Sequence, residues 1–219
     1  MLKKLLPLVL VLCLLLAGCG ASESTPAETT ETAPATSANV IKPLPDTTME
    51  NLTDAILPVS FEKGDAYVDD TGKLQLVVKI YAYDKYDMVD ISKLETGSIL
   101  ATHKGEVEIT SLERAENGTV YVNGGLEAGG LDLVTDDSGV FFETGYNDAK
   151  SWYEVGSAML RVSTELRGVD NSDPDLGEVI FYPGSLLNDE IKNYTFTPHN
   201  TTIRVAEGQV VELTRRYVP

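Results

Sequence analysis

Cysteine is almost missing from this chain of 219 residues, and the two present, Cys13 and Cys19, both stand near its start. Beyond Cys19 there is therefore no disulfide framework, no thiol nucleophile and no cysteine metal site. Histidine is scarce as well. With only His103 and His199, a His-rich metal centre is excluded, and a Ser-His-Asp triad would have to draw on one of those two rings. Both sit among turn-forming or polar neighbours and are expected as exposed loop residues. Basic side chains number 17 against 34 acidic ones. Nucleic acid is excluded as a partner on that balance, because reading a phosphate backbone needs a basic footprint. There is no G-x-S-x-G nucleophile elbow; Gly184-Ser185 lacks its surroundings. The Gly-rich run at residues 123–130 lacks the Lys-Ser/Thr ending of a phosphate loop. It is expected as tight turns between strands. With 34 carboxylates, some pair will stand at glycosidase distance by chance, so their number does not argue for hydrolysis. A non-catalytic domain is the expectation.

What the chain does have begins at its N-terminus. Lys3 and Lys4 precede an unbroken apolar stretch, residues 5–16 (LLPLVLVLCLLL), interrupted only in shape by Pro7. Twelve residues fall short of the roughly 20 that a membrane-spanning helix needs, but they suit the core of a signal peptide. Leu16-Ala17-Gly18-Cys19 follows directly. This stretch resembles the lipobox of bacterial lipoproteins. The resemblance implies cleavage after Gly18 and a diacylglycerol on the thiol of Cys19. It covers about the first 20 residues. The rest is similar in general look only to uncharacterised Gram-positive lipoproteins, which implies location rather than activity. A membrane partner through lipid on Cys19 is expected, with the protein on the extracytoplasmic face of the cell membrane. Two or more acyl chains make a stable anchor where one does not.

Residues 19–45 are expected to be the lipidated cysteine and a disordered tether. The segment from Gly20 is rich in Ser, Thr, Ala, Pro and Glu and has no aromatic residue. It cannot bury enough surface to offset its conformational entropy. Loss of Lys3 and Lys4 with the leader leaves 15 basic against 34 acidic side chains, a net charge of −19. Such a domain is repelled by anionic lipid, so the anchor does the holding.

Residues 46–219 are expected to form a single β-rich domain. Residues 73–83 alternate: Leu74, Leu76, Val78, Ile80 and Ala82 fall on one face, Gln75, Val77, Lys79, Tyr81 and Tyr83 on the other. Strands at 107–115 and 119–122 flank Glu116-Asn117-Gly118, a hairpin signal. Further strands are predicted at 131–135, 140–144, 155–164, 178–182, 201–206 and 209–217. The last two form a hairpin around Glu207-Gly208, with Ile203, Val205, Val211 and Leu213 inward. Short helices are predicted at 46–57, where Thr47 and Glu50 have capping-box spacing and Pro58 is the stop, and at 185–192. A β-sandwich or barrel follows. A faint echo of residues 94–98 in 153–157 allows for a duplicated barrel.

Two groups of residues are candidates for binding. Exposed aromatics, Tyr81, Tyr83, Trp152 and Tyr153, with Phe142 and Tyr146 nearby, could stack on sugar rings or grip a peptide. Asp170, Asn171, Asp173 and Asp175 carry the alternating oxygen ligands of a calcium loop, though Pro174 stiffens the middle and Gly177 comes one place late. The sequence thus favours a surface binding module for glycan, peptide or protein. The alternatives are an accessory subunit of an envelope complex and a carboxylate-dependent glycan hydrolase.

Overall fold

The computed structural model describes residues 38–145, 149–188, 190–191 and 194–218. The leader, Cys19, the tether up to residue 37, and Tyr146 lie outside the described residues. The strands in chain order are β1 (Val40–Ile41), β2 (Ala55–Ser60), β3 (Ala66–Val68), β4 (Leu74–Ala82) and β5 (Lys85–Tyr86). A short helix α1 (Met88–Ser92) follows, then β6 (Ile99–Thr102), β7 (Gly105–Glu108), β8 (Leu112–Arg114), β9 (Val120–Val122) and β10 (Leu131–Thr135). The chain ends with β11 (Phe141–Glu143), β12 (Tyr153–Asn171), β13 (Val179–Phe181), β14 (Thr201–Ala206) and β15 (Gln209–Arg216). The protein is mainly β, as its alternating sequence leads one to expect.

One long strand closes the main sheet on itself. The first part of β12 pairs antiparallel with β4 and its second part pairs parallel with β15. β15 continues through β14 and β2 back to β4. Five strands thus form a small closed barrel, with β3 and β13 attached alongside. Closure removes the sheet edges that would otherwise template aggregation. The inward positions predicted for β4 are the buried ones: Leu76, Val78 and Ile80 pack with Leu57, Val59, Leu160, Val162, Ile203, Val205, Val210 and Leu213. Gly168 is needed where β13 crosses β12, since a Cβ there would stand 2.2 Å from the Phe181 ring.

β4 and β12 are partners in the barrel, yet residues 83–152 lie between them in sequence. That insertion folds as a second lobe. It contains a five-stranded sheet, β5-β11-β10-β9-β8, and contributes β6 and β7 to a three-stranded one. Its core holds Tyr86, Ile91, Leu100, Ile109, Val120, Val122, Leu133 and Phe141. The Asn117-Gly118 hairpin joins β8 to β9, with Gly118 at φ +89°, but the strand predicted at 107–115 is broken at residues 109–111 into β7 and β8, which belong to different sheets.

Several expectations are corrected. The fold starts before residue 46: β1 runs parallel to β6 and buries Ile41, and the Leu44 N–H donates to the Lys85 carbonyl at 2.6 Å. Two residues are too few to show a period, so composition concealed this strand. The helix predicted at 46–57 is absent. Only Thr48–Glu50 forms a 3-10 turn, and Asp46 rather than Thr47 bonds the Thr48 N–H. Pro58 is part of β2. It ends the pairing with β14, before that with β4 begins at Val59, and a missing N–H costs least there. In the last hairpin Val210, not Val211, faces in. Arg204 pairs with Glu212 but Val205 with Val210, so Val211 is the extra residue of a bulge. Of the helix at 185–192 the described part is a 3-10 turn, Pro183–Leu187. Residues 94–98 form a turn before β6 while 153–157 lie inside β12, so no duplicated barrel arises.

Candidate functional site

The sites cluster at the seam where the chain leaves the barrel after β4 and returns through β12. Alternation continues past the end of β4. Ala82, Asp84 and Tyr86 are buried, while Tyr83 is half-buried and Lys85 exposed. On the returning strand Glu154 pairs with Tyr81 and Tyr153 with Ala82, and a bulge at Val155 bends the chain just beyond. Period two therefore sends adjacent aromatic residues to different places.

On one side Tyr81, Tyr83 and Trp152 line a single cleft of about 450 Å³, within the range of roughly 300–1,000 Å³ typical of small-molecule sites. Tyr83 meets Trp152 edge-on at 5.0 Å between ring centroids and Phe142 at 5.6 Å. Lys150 lies 4.0 Å from the Tyr83 centroid and donates to its hydroxyl at 2.7 Å. Tyr81 shares a 2.9 Å hydrogen bond with Ser60. The same cleft is lined by Asp46, Thr47, Thr48, Asn51 and Ile56, from the segment expected to be helical, and by Pro58. Aromatic rings together with hydroxyl, amide and carboxylate groups make the cleft amphipathic.

On the other side Tyr153 stacks on His103 at 4.3 Å and 23°. It is separated from the other three aromatics and belongs to a different cluster. Its hydroxyl donates to Asp84, and burial together with the charges of Asp84 and Asp46 pushes its pKa up to about 12. Asp84 also accepts the His103 backbone N–H at 2.8 Å and shares a 2.7 Å bond with His103 Nδ1. His103 is thus no plain loop residue. Its imidazole is only 18% exposed, although its backbone lies at the surface. Across from it stands Glu143, buried on β11, whose Oε1 accepts from Lys104 Nζ at 2.7 Å. Lys104 also donates to Ser151 at 3.1 Å. Tyr86 reports the combined field: burial first, then the charges of Asp84 and Glu143, push its phenol well above the ordinary range.

No known protein family, curated protein or solved structure matches the chain. What the seam can do follows from its own residues.

The calcium-loop residues lie elsewhere, and Asp170 among them is already engaged. Asp170 and Asn171 end β12, and the Asp170 carboxylate is held by the Arg215 guanidinium through Nε at 2.9 Å and through Nη2. Burial raises the Asp170 pKa, but the hydrogen bonds from Arg215 and Ser172 outweigh it and hold the carboxyl below its ordinary value. Asp173 accepts the Asp175 N–H in an exposed turn, and Asp175 is exposed beside it. Among the described residues the acid and imidazole groups that converge are instead Asp84, His103 and Glu143, whose ligand atoms lie within 4.8 Å of one another. The sequence reading missed this trio because its members are far apart along the chain. One signal was present: Asp84 and Tyr86 continue the inward phase of β4, which places an acid where an apolar residue is expected.

Proposed function

We propose that this is a lipid-anchored, extracytoplasmic binding module whose aromatic cleft takes a short glycan. The observation that carries the reading is the gathering of Tyr81, Tyr83 and Trp152 with polar groups around one cleft. Flat apolar ring faces suit the C–H faces of a sugar, and side chains with two χ angles lose little entropy on binding. Asp46, Thr47, Thr48, Asn51, Lys85 and Lys150 supply hydrogen bonds for its hydroxyls. The anchor rests on the Leu16-Ala17-Gly18-Cys19 sequence and on the tether behind it. Among the described residues no helix is long and apolar enough to cross a membrane.

Trp152 is the chain's only tryptophan, so its fluorescence reports on the cleft alone. Titration with cell-wall fragments and common polysaccharide oligomers is expected to shift that emission. A ligand at 100 times its Kd adds about 2.7 kcal/mol of stability, which raises Tm by several degrees. Tyr83→Ala removes both effects. If sugars leave emission and melt unmoved while peptides shift them, the cleft is a peptide site; if neither does, the binding reading is wrong. The anchor is tested separately: Cys19→Ala is expected in the soluble fraction, and retention at the membrane would refute lipidation.

A further inference from the structure

The Asp84, His103 and Glu143 cluster plays no part in the cleft, and its atoms have an unsatisfied side. Glu143 is 3% exposed, and its Oε2 finds no hydrogen-bond partner among the described residues. A buried carboxylate oxygen without a donor costs on the order of 1–3 kcal/mol, and more when charged. Its other oxygen is bonded to Lys104, so a single cation partly balances two buried carboxylates. We infer that these three residues form a binding site for one divalent transition-metal ion of the zinc type.

The donor set decides the class of ion. One imidazole nitrogen and two carboxylate oxygens suit zinc and its first-row neighbours, whereas calcium and magnesium prefer oxygen alone. Zinc bonds of about 2.0–2.2 Å put tetrahedral ligands roughly 3.4 Å apart. The three ligand atoms already lie within 4.8 Å of one another, so movements of about an ångström bring them to an ion. The shared Asp84–His103 bond would then open, while the His103 backbone N–H and the Tyr153 hydroxyl keep Asp84 oriented, as outer partners of metal ligands do. Three protein ligands leave a fourth position for water.

Lys104 is the resident counter-ion. Its side chain is 58% exposed while that of Glu143 is 4% exposed, so the ammonium can swing into solvent and clear a path for the ion. The ligands come from the link after β4, the β6–β7 turn and β11. A bound ion therefore ties together three separate segments of the inserted lobe.

The test uses the full chain, stripped with chelator and titrated with zinc chloride against a chromophoric competitor, with cobalt chloride as a spectroscopic probe. One zinc per chain is expected, with a rise in Tm. Cobalt should give the intense visible bands of a four- or five-coordinate centre. Glu143→Gln and His103→Gln should weaken zinc at least about tenfold, within the range seen when metal-site partners are lost. Because either variant could fold poorly, Lys104→Met is the decisive complement. Removing the competing ammonium should tighten zinc binding, a gain that unfolding cannot imitate. The inference is overturned if the wild-type chain takes up no zinc or cobalt. It is equally overturned if both ligand variants bind as wild type does, or if Lys104→Met binds no more tightly.

Discussion

The barrel and the inserted lobe handle buried charge in opposite ways. In the barrel, Arg215 is 2% exposed and its guanidinium grips both oxygens of Asp170. In the lobe, Glu143 is equally buried but only one of its oxygens is bonded, and Asp84 beside it is shared among a backbone N–H, an imidazole and a phenol. The cores differ in size too: among the described residues eighteen buried apolar side chains pack in the barrel and ten in the lobe. The region with the larger apolar reserve carries a closed ion pair. The smaller one carries an open polar cluster, and an open cluster is what a ligand can enter. The closed pair and the open cluster are thus separated by lobe, while the aromatic cleft draws on both where β4 hands over to β5.

Removing one side of each cluster would sharpen that contrast most. Asp170→Ala takes the carboxylate away from the buried Arg215 guanidinium and is expected to cost about 1.5–3 kcal/mol in chemical denaturation. Glu143→Gln keeps its volume and sheds a charge, so it should cost no more than about 1.5 kcal/mol. Equal losses would abolish the distinction. Next, Leu133→Ala, in the lobe's core, should cost about 2–5 kcal/mol. Hydrogen exchange should then quicken in β9 to β11 while β14 and β15 stay protected, since local opening follows cooperative units. Uniform quickening would mean that the two lobes unfold as one. The smallest effect is acid dependence. The folded Asp170 carboxyl titrates below its ordinary value, near 4 for an unfolded aspartate. Its stabilisation is therefore complete above that pH and is lost as the pH falls below it towards the folded value. Asp170→Asn should flatten this part of the acid melt; an unchanged profile would show that other carboxylates dominate.

Strands that alternate over five or more residues were legible in the sequence. Residues 131–135 and 201–206 begin and end as read, and over 201–206 buried and half-buried positions alternate, a period that survives without context. Two kinds of feature were not legible. Short pairings such as Val40–Ile41 owe their conformation to a partner strand some sixty residues on, so local composition misreports them. Residues 46–57 had a capping box, yet tertiary pairing of residues 55–58 with β14 outweighed a weak local preference. The candidate site was half legible. Tyr81, Tyr83 and Trp152 share a cleft, whereas Tyr153 was grouped with them by proximity in sequence although period two sends it to His103. Asp84, His103 and Glu143 meet only through the fold.

The insertion between β4 and β12 also governs the order in which the chain can assemble. Ala82 and Tyr153 are strand partners, but in an unfolded chain about 70 residues must be looped to bring them together, at an entropic cost of about 4 kcal/mol plus a constant. Collapse of the lobe first shortens that loop to three residues on one side and eleven on the other, because Phe141–Tyr86 pairing already brings the ends close. The less costly route therefore starts in the middle of the sequence. On that route the barrel's longest strand, β12, finds its place after the smaller lobe has set the distance for it.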